Sequence, residues 1–134
     1  MNTIIEKPNN NIGAIIVTYN PNIIIFSRQL ESIKLQVNDI VVVDNCSNNI
    51  DEITKIVKEF IHLFGLQIHL ICNLTNEGLG KAQNSGIKFA KENLKSTYVI
   101  LFDQDSILDE EFVNGLIDSE KKLLGQGNKL AAIG

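Results

Sequence analysis

The chain has 134 residues, of which 44% are hydrophobic and 21% charged, and its formal net charge is −4 at pH 7. These values fit one globular domain with a sizeable core and exclude a disordered chain. A negative charge with scattered lysines argues against nucleic acid as a partner, and no apolar run approaches the roughly 20 residues of a transmembrane segment. The N-terminal stretch MNTIIEKPNNN lacks the features of a secretory signal, so we expect a cytoplasmic protein.

The first half of the chain alternates between short apolar runs and longer amphipathic segments. Residues 12–17 predict a buried strand. The helix predicted next has Pro21 near its start and apolar residues at helical spacing: Phe26, Leu30, Ile33 and Val37. Residues 39–45 are rich in valine and apolar on both faces, which is typical of a parallel strand covered on both sides.

A second helix should begin near Asp51 and Glu52, whose charges favour the N-terminal end of the helix dipole. Gly65 should end this helix, because glycine readily adopts the left-handed conformation there. The residues of this helix that are expected to face the sheet are Ile53, Val57, Phe60 and Phe64.

The second half continues the same alternation. The stretch LQIHLIC predicts a third strand near a sheet edge, and EGLGKAQNSGIKFAKENL predicts a helix with Ala82, Phe89 and Ala90 facing inward. TYVILF predicts a fourth strand, the acidic run 109–111 should start another helix, and KLAAIG begins a fifth strand. The chain stops on this strand-like segment, which suggests a piece of a longer protein.

We therefore predict an α/β fold with a mainly parallel sheet flanked by helices on both faces. Neither a repeat nor a linker interrupts the pattern, so one domain should span residues 1–134, with residues 1–11 as a flexible N-terminus. The four complete strands end in polar stretches: VTYN, VDNCS, CNLTNEG and FDQDS. Because ligands of open α/β sheets bind beyond the carboxyl ends of the strands, we expect the site at this edge.

Asp103 and Asp105 follow the fourth strand directly, and alternate residues of an extended segment point the same way. Both carboxylates could converge on Mg²⁺ or Mn²⁺, with water and substrate phosphate completing the coordination shell. The alternative is that Asp105 or Ser106 caps the next helix. A carboxylate at the end of a buried strand is costly unless its charge is balanced, which favours the metal site.

Two further strand-end residues have two interpretations each. Asp44 either forms an Asx-turn with the backbone of residues 45–47 or accepts a hydrogen bond from a ligand, such as the imide of a pyrimidine base. Tyr19 is either a loop aromatic or a stacking surface for a flat base. The sequence leaves both pairs open.

The stretch NEGLGKAQNSG resembles part of a dinucleotide fingerprint, since Gly78-x-Gly80 lies between a strand and a helix. Gln83 stands where the third glycine belongs and the stretch follows the third strand, so NAD binding is rejected. Asn76 could supply hydrogen bonds, and Lys81 could reach a phosphate or remain a solvated surface lysine. The small residues of this stretch are expected to allow close helix packing: Gly78, Gly80, Ala82 and Gly86.

Cys46 and Cys72 are too few for a disulfide framework and are expected to be free, partly buried thiols near strand ends. Whether they are neighbours in space stays open. His62 and His69 show no ligand spacing with either cysteine, so no zinc site is predicted.

The stretches VTYN, VVDNCS, NEGLGKAQNSGI and LFDQDS, in this order and spacing, resemble the nucleotide-binding half of family 2 glycosyltransferases with the Rossmann-like GT-A fold. The resemblance runs from about Gly13 to Gly134, and the Gln104 form of the Asp-x-Asp motif is similar to that of bacterial rhamnosyltransferases. It implies an inverting, metal-dependent enzyme that moves a sugar from a dTDP- or UDP-linked donor to a glycan or lipid-linked acceptor for the cell surface. It also implies that a full-length protein is peripheral to the inner face of the membrane.

The resemblance assigns these residues to the nucleotide-sugar pocket: Thr18, Tyr19, Asn20, Asp44, Asn76, Gly78, Lys81 and Asp103. Asp44 would bind the imide of a pyrimidine, Asp103 would lie near the ribose and a metal-bound water, and Asp105 would hold Mg²⁺ or Mn²⁺ on the diphosphate. The carboxylate that acts as catalytic base in such enzymes has no counterpart here and is expected downstream. The chain should therefore bind the donor without transferring the sugar.

Three other protein classes fit less well. A receiver-type signalling domain needs an acidic pair after its first strand, where residues 18–20 read Thr-Tyr-Asn. A nucleotidyltransferase would have a glycine-rich, basic phosphate loop in the same place. A non-catalytic nucleotide-binding module is the remaining alternative, and the intact Asp44, Asp103 and Asp105 argue against it.

Overall fold

The computed structural model describes residues 11–107, 112–124 and 132–133. Their strands are β1 Ile12–Thr18, β2 Asp39–Asp44, β3 Ile68–Cys72, β4 Tyr98–Phe102 and β5 Ala132–Ile133, and their helices are α1 Ile23–Ile33, α2 Ile50–Phe64, α3 Leu79–Asn93 and α4 Phe112–Leu124. Strands and helices alternate as predicted. Within these ranges, no helix is both long enough and apolar enough to span a bilayer.

The sheet has the strand order β3-β2-β1-β4-β5, and every neighbouring pair is parallel. The predicted α/β fold and the edge position of β3 are thus confirmed. Strand β1 pairs with β2 in the register Thr18↔Asp44 and with β4 in the register Ile16↔Phe102. The chain runs from β1 through β2 to β3 and then crosses to β4 on the other side of β1, so the strand order reverses between β1 and β4.

Both faces of the sheet are covered by helices. Side chains alternate along β1, so that Ile12, Ala14 and Ile16 pack with α1, α2 and α4, while Ile15 and Val17 pack with α3. This burial on two sides explains why the central strands consist of continuous apolar runs.

Helix α1 begins after the N-cap residue Asn22 and ends earlier than predicted. The Asn22 Oδ1 accepts a hydrogen bond from the Ile25 N–H at 3.1 Å. The helix ends at Ile33, because the Gln36 N–H donates to the Ile33 carbonyl at 2.8 Å and tightens the chain into a turn. Val37, which was predicted on this helix, is buried in the connection to β2, so it fills the core without being helical.

The predicted C-terminal end of α2 is confirmed, but the prediction that Phe64 faces the core is wrong. Gly65 has φ 63°, and its N–H donates to the Ile61 carbonyl at 2.9 Å. Phe64 is 46% exposed, because the buried stripe of α2 ends at Phe60 and the last turn lies past the core. The Phe64 ring instead contacts Phe60 in a tilted arrangement with the ring centroids 5.4 Å apart, and the Lys34 ammonium lies 3.5 Å from the centroid of the Phe64 ring.

Helix α3 packs against the sheet at a glycine. A Cβ atom added at Gly86 would lie 2.6 Å from the Ile15 Cγ2 and 3.2 Å from the Val43 Cγ2. These distances leave no space for a side chain, so the close packing predicted for this helix is confirmed at Gly86.

The other small residues of this segment have different roles. Ala82 and Ala90 are buried and Phe89 is half-buried against the same face of the sheet, as predicted. Close packing was the wrong prediction for Gly78 and Gly80, since nothing lies within 4 Å of a Cβ added at either residue. Gly78 is instead suited to its φ of 84°, a conformation that residues with a side chain rarely adopt.

Several predictions concern residues outside the described ranges. These are the start of a helix at residues 109–111, the flexible residues 1–10 and the fifth strand apart from Ala132–Ile133, which pair with β4. Asn11, predicted to be flexible, is fixed instead. Its Nδ2 donates to the carbonyls of Leu94 at 2.9 Å and Lys95 at 3.1 Å, which hold this side chain in place.

Replacing Gly86 by alanine should destabilise the protein, because the added methyl group would collide with Ile15 and Val43. We expect the free energy of unfolding, measured by urea denaturation, to fall by about 1–3 kcal/mol. Gly80→Ala is the matched control, since it lies on the same helix in open space. It should leave stability unchanged or raise it by up to about 1 kcal/mol. Equal stability of the two variants would contradict the packing argument.

Candidate functional site

A cleft of about 520 Å³ opens at the carboxyl ends of the strands, lined by residues from the ends of β1, β2 and β4 and from the β3–α3 loop. Its lining combines an aromatic ring, amides and carboxylates with apolar side chains: Val17, Tyr19, Asn45, Asn76, Gly78, Leu79, Phe102, Asp103, Gln104 and Asp105. The structure thus places five of the predicted site residues around one cavity: Tyr19, Asn76, Gly78, Asp103 and Asp105. The other four do not line it: Thr18, Asn20, Asp44 and Lys81.

Asp103 and Asp105 lie in a turn and not in an extended segment as the sequence suggested. The turn, residues 103–106, forms directly after β4, and the Ser106 N–H donates to the Asp103 carbonyl at 3.1 Å. Both carboxylates are exposed, and neither accepts a hydrogen bond or ion pair from any residue that the structure describes. The alternative of a helix cap involves residues 108–111, which lie outside the described part of the chain.

Gln104, the middle residue of this motif, ties the turn to the end of β1. Its Oε1 accepts a hydrogen bond from the Tyr19 N–H at 2.8 Å, and its Nε2 donates to the Tyr19 carbonyl at 3.4 Å. The side-chain amide therefore pairs with both polar backbone groups of one residue, as a neighbouring strand would. Tyr19 itself is 48% exposed, so its ring is open to contact from the cleft.

Asp44 is buried, at 1% exposure, and its carboxylate is used within the protein. Its Oδ1 accepts hydrogen bonds from the hydroxyls of Thr18 at 2.7 Å and Ser47 at 2.6 Å, and its Oδ2 accepts one from the Ser47 N–H at 2.9 Å. This arrangement is the turn that one interpretation of the sequence predicted. It joins the ends of β1 and β2.

Asn45 is a cleft residue that sequence reasoning missed. It is buried, and its Nδ2 donates to the Gly78 carbonyl at 3.0 Å. Its Oδ1 accepts from the Asn73 Nδ2 at 3.0 Å and from the Glu77 N–H at 3.1 Å. Asn45 therefore holds the β3–α3 loop, where the Gly78 N–H also donates to the Asn76 Oδ1 at 2.9 Å. The available signal was an amide placed directly after a buried strand, beside Asp44.

Gln29 on α1 was also missed. It lies on the buried face of the helix between Phe26 and Ile33, and its Nε2 donates to the Asp103 carbonyl. A polar residue at a core-facing position of an amphipathic helix was the signal that could have identified it.

Two predicted site residues, Asn20 and Lys81, lie outside the lining of the cleft. Asn20 has a positive φ of 47°; its N–H donates to the Ser47 Oγ at 2.8 Å, and its Oδ1 accepts from the Asn48 N–H at 2.7 Å. It thus joins the loops that follow β1 and β2. Lys81 is exposed in the first turn of α3.

Asp103 and Asp105 are the candidate ligands for a metal ion. In the described part of the chain, no group of three or more His, Cys, Asp and Glu residues converges. Mg²⁺ and Mn²⁺ are commonly held by one or two carboxylates together with water and substrate phosphate. The exposed, unpaired oxygens of Asp103 and Asp105 beside an open cleft fit that kind of site, with most ligands supplied by water and a bound phosphate.

The cysteines are free, as predicted, but both are exposed and not partly buried. Cys46 follows β2 with φ 67°, and its Sγ lies 3.4 Å from the Leu74 carbonyl. Cys72 ends β3 opposite Asp44. Desolvation of the sulfur, and then the negative charge of Asp44, raise the pKa of the Cys72 thiol.

In a Cys46→Ser background, alkylation of Cys72 by iodoacetamide should have a higher pH midpoint in the native protein than in urea, because the thiolate is the reactive form. Asp44→Asn should lower the native midpoint only in part, since desolvation is the larger cause. The contribution of this thiol to stability is intact below its unfolded pKa and decreases as the pH rises above it. A native midpoint at or below that of the unfolded chain would contradict this assignment.

Comparison with known proteins places these features in a family. Residues 14–122 match the family described as Glycosyl transferase family 2. The chain is 40% identical over 110 residues to the dTDP-rhamnosyl transferase RfbF of Shigella flexneri. The matched stretch covers 81% of this chain and 34% of RfbF. It is also 39% identical over 94 residues to the uncharacterized protein MJ0544 of Methanocaldococcus jannaschii. This second match covers 69% of this chain and 39% of MJ0544. The chain thus spans between a third and two fifths of these curated relatives.

Among solved structures, TarS of S. aureus matches with a TM-score of 0.59 and 23% identity over 84% of this chain and 20% of TarS. This likeness concerns the fold, and the Rossmann-like GT-A architecture predicted for the chain is confirmed. The family match, residues 14–122, includes every residue that lines the cleft. The chain therefore belongs to glycosyl transferase family 2 and is similar to a dTDP-rhamnosyl transferase.

Proposed function

We propose that this chain forms the donor-binding part of an inverting, metal-dependent glycosyltransferase that moves rhamnose from a dTDP-linked donor to a glycan or lipid-linked acceptor. The observation that carries the proposal is the convergence of Tyr19, Asp103 and Asp105 on one cleft at the reversal of strand order. An aromatic ring suits a flat base, and two carboxylates suit a cation on a diphosphate. The 40% identity to a dTDP-rhamnosyl transferase supports the choice of donor.

The nucleoside would lie between the loops that follow β1 and β3. In this arrangement the base stacks on Tyr19, and Asn76 and Gly78 from the β3–α3 loop also line its pocket. Direct contact of the base with Asp44 would require a ligand to reach a carboxylate that already accepts bonds from Thr18 and Ser47. We therefore assign the Thr18–Asp44 pair, together with Asn20, a supporting role that fixes the position of Tyr19.

The diphosphate would lie beside Asp103 and Asp105. Mg²⁺ or Mn²⁺ held there would supply Lewis-acid stabilisation of the negative charge on the departing diphosphate. In this proposal Asp105 is the principal ligand, and Asp103 lies between the cation's water shell and the ribose. Lys81, exposed in the first turn of α3, is the side chain proposed to reach the outer phosphate oxygens.

We assign acceptor recognition and the general base to the part of such proteins that lies outside the shared stretch, since that stretch covers only 34% and 39% of the two relatives. Inverting transfer needs a base that deprotonates the acceptor hydroxyl. The carboxylates of the cleft are assigned to the metal, so the chain is proposed to bind donor and not to transfer the sugar by itself.

The metal assignment predicts that dTDP raises the Tm of the protein strongly only when Mn²⁺ or Mg²⁺ is present. A ligand that binds only the native state stabilises it by about 2.7 kcal/mol at 100 times its Kd. Asp105→Asn should abolish the metal-dependent part of this increase. Glu59→Gln, which removes an exposed carboxylate on α2, is the control and should retain it. Equal responses of the two variants would refute the metal assignment, and parallel titrations with UDP and GDP test the choice of base.

The stacking assignment predicts a specific loss of affinity at Tyr19. Tyr19→Ala should weaken dTDP binding by about 1–3 kcal/mol, the range for stacking of one base on an aromatic side chain. Tyr19→Phe keeps the ring and should retain most of the affinity. Calorimetric titration of both variants at saturating Mn²⁺ measures the difference. If Tyr19→Ala binds as tightly as Tyr19→Phe, the base lies elsewhere in the cleft.

A further inference from the structure

Gln29 is an unusual residue for its position. It is 0% exposed on the core-facing side of α1, among the buried residues Phe26, Leu30 and Ile33. A buried amide is stabilising only when its polar atoms are paired, because burial removes their hydrogen bonds to water. An apolar side chain of similar size would suit this environment better if stability alone determined the residue.

Only one end of the Gln29 amide is paired. Its Nε2 donates to the main-chain carbonyl of Asp103, while its Oε1 is buried without a hydrogen-bond partner. The Asp103 carbonyl also accepts the Ser106 N–H that closes the 103–106 turn. Gln29 on α1 therefore binds the same carbonyl oxygen that closes the 103–106 turn. Gln29 does not itself line the cleft.

We infer that Gln29 is a positioning residue for the metal-binding turn. By holding the Asp103 carbonyl, it fixes the direction in which the Asp103 and Asp105 side chains leave β4, and hence how well their oxygens fit one cation. Its unpaired Oε1 is the stability cost of this arrangement, because a half-satisfied buried amide is less favourable than an apolar side chain. The inference rests on the proposed function, since it concerns the same metal-diphosphate site.

The test compares the effect of one substitution on thermal stability with its effect on metal-dependent dTDP affinity. Gln29→Leu removes a buried amide with one unpaired atom, so the Tm should stay the same or rise. The same change should reduce the gain in dTDP affinity that Mn²⁺ provides by roughly 10-fold, the lower end of the effect of removing a residue that orients metal ligands. The Kd for dTDP without metal should be unchanged. Calorimetric titrations with and without Mn²⁺, together with thermal unfolding, give all three quantities.

Gln36→Leu is the matched control. Gln36 is also a buried glutamine after α1, and its Oε1 accepts the Val113 N–H at 3.0 Å, away from the cleft. Its loss leaves a buried N–H without that acceptor, so the Tm should fall while the gain from Mn²⁺ is retained. Gln29→Leu should thus lose metal-dependent affinity without losing stability. Gln36→Leu should lose stability without losing metal-dependent affinity.

The remaining outcomes overturn the inference. If Gln29→Leu lowers the Tm and keeps the full gain from Mn²⁺, Gln29 is only structural. If neither Gln29→Leu nor Gln29→Met folds, the amide is needed for folding and the inference is wrong. A wild-type protein without any gain from Mn²⁺ would refute the proposed function and this inference together. A gain in the wild type that Gln29→Leu retains refutes the role of Gln29 alone.

Discussion

The parallel pairing of β1 with β2 on one side and with β4 on the other is the constraint on which the rest of the molecule depends. The chain leaves β1 for α1 on one face of the sheet and reaches β4 from α3 on the other face. The two connections therefore diverge at the carboxyl ends of the strands and leave a cleft between them. Because Ile16 lies opposite Phe102, Tyr19 and Asp103 emerge at the same edge of the sheet, and both line the cleft.

The polar residues at this edge divide into two groups by burial. Asp44 and Asn45 are buried, and their side chains hydrogen-bond within the protein, Asp44 to Thr18 and Ser47 and Asn45 to the β3–α3 loop. Asp103 and Asp105 are exposed, and no described residue neutralises them. The buried group determines where the loops lie, and the exposed group is available to a ligand. A charge-bearing cleft can therefore exist on a rigid base, because the residues that hold the loops are not the residues that would contact the ligand.

Sequence patterns predicted those features that depend on neighbouring residues. The alternation of strands and helices follows from hydrophobic period and length, and the end of α2 follows from the backbone freedom of Gly65. The same reasoning failed where a side chain lies at the limit of an element. The helical period puts Phe64 on the core face, but the period does not state where the core ends.

Contacts between distant parts of the chain could not be predicted in this way. Gln29 and Asp103 are separated by 74 residues and Asn45 and Gly78 by 33, so no local pattern joins them. Asp103 and Asp105 were expected to converge because alternate residues of a strand share a side. They share the cleft instead because the chain turns after Phe102. The residues that form the cleft were thus largely identifiable, while those that hold it in place were not.

The double hydrogen bond between Gln104 and the backbone of Tyr19 has a thermodynamic consequence. It makes the loop after β1 and the turn after β4 one mechanical unit, although they belong to different strands. A ligand group that orders either one lowers the entropy cost of ordering the other. By linkage, a cation at the turn and a ring against Tyr19 would then raise each other's affinity by the same factor. Gln104, the middle residue of the motif, would set the size of that factor without having to contact either ligand.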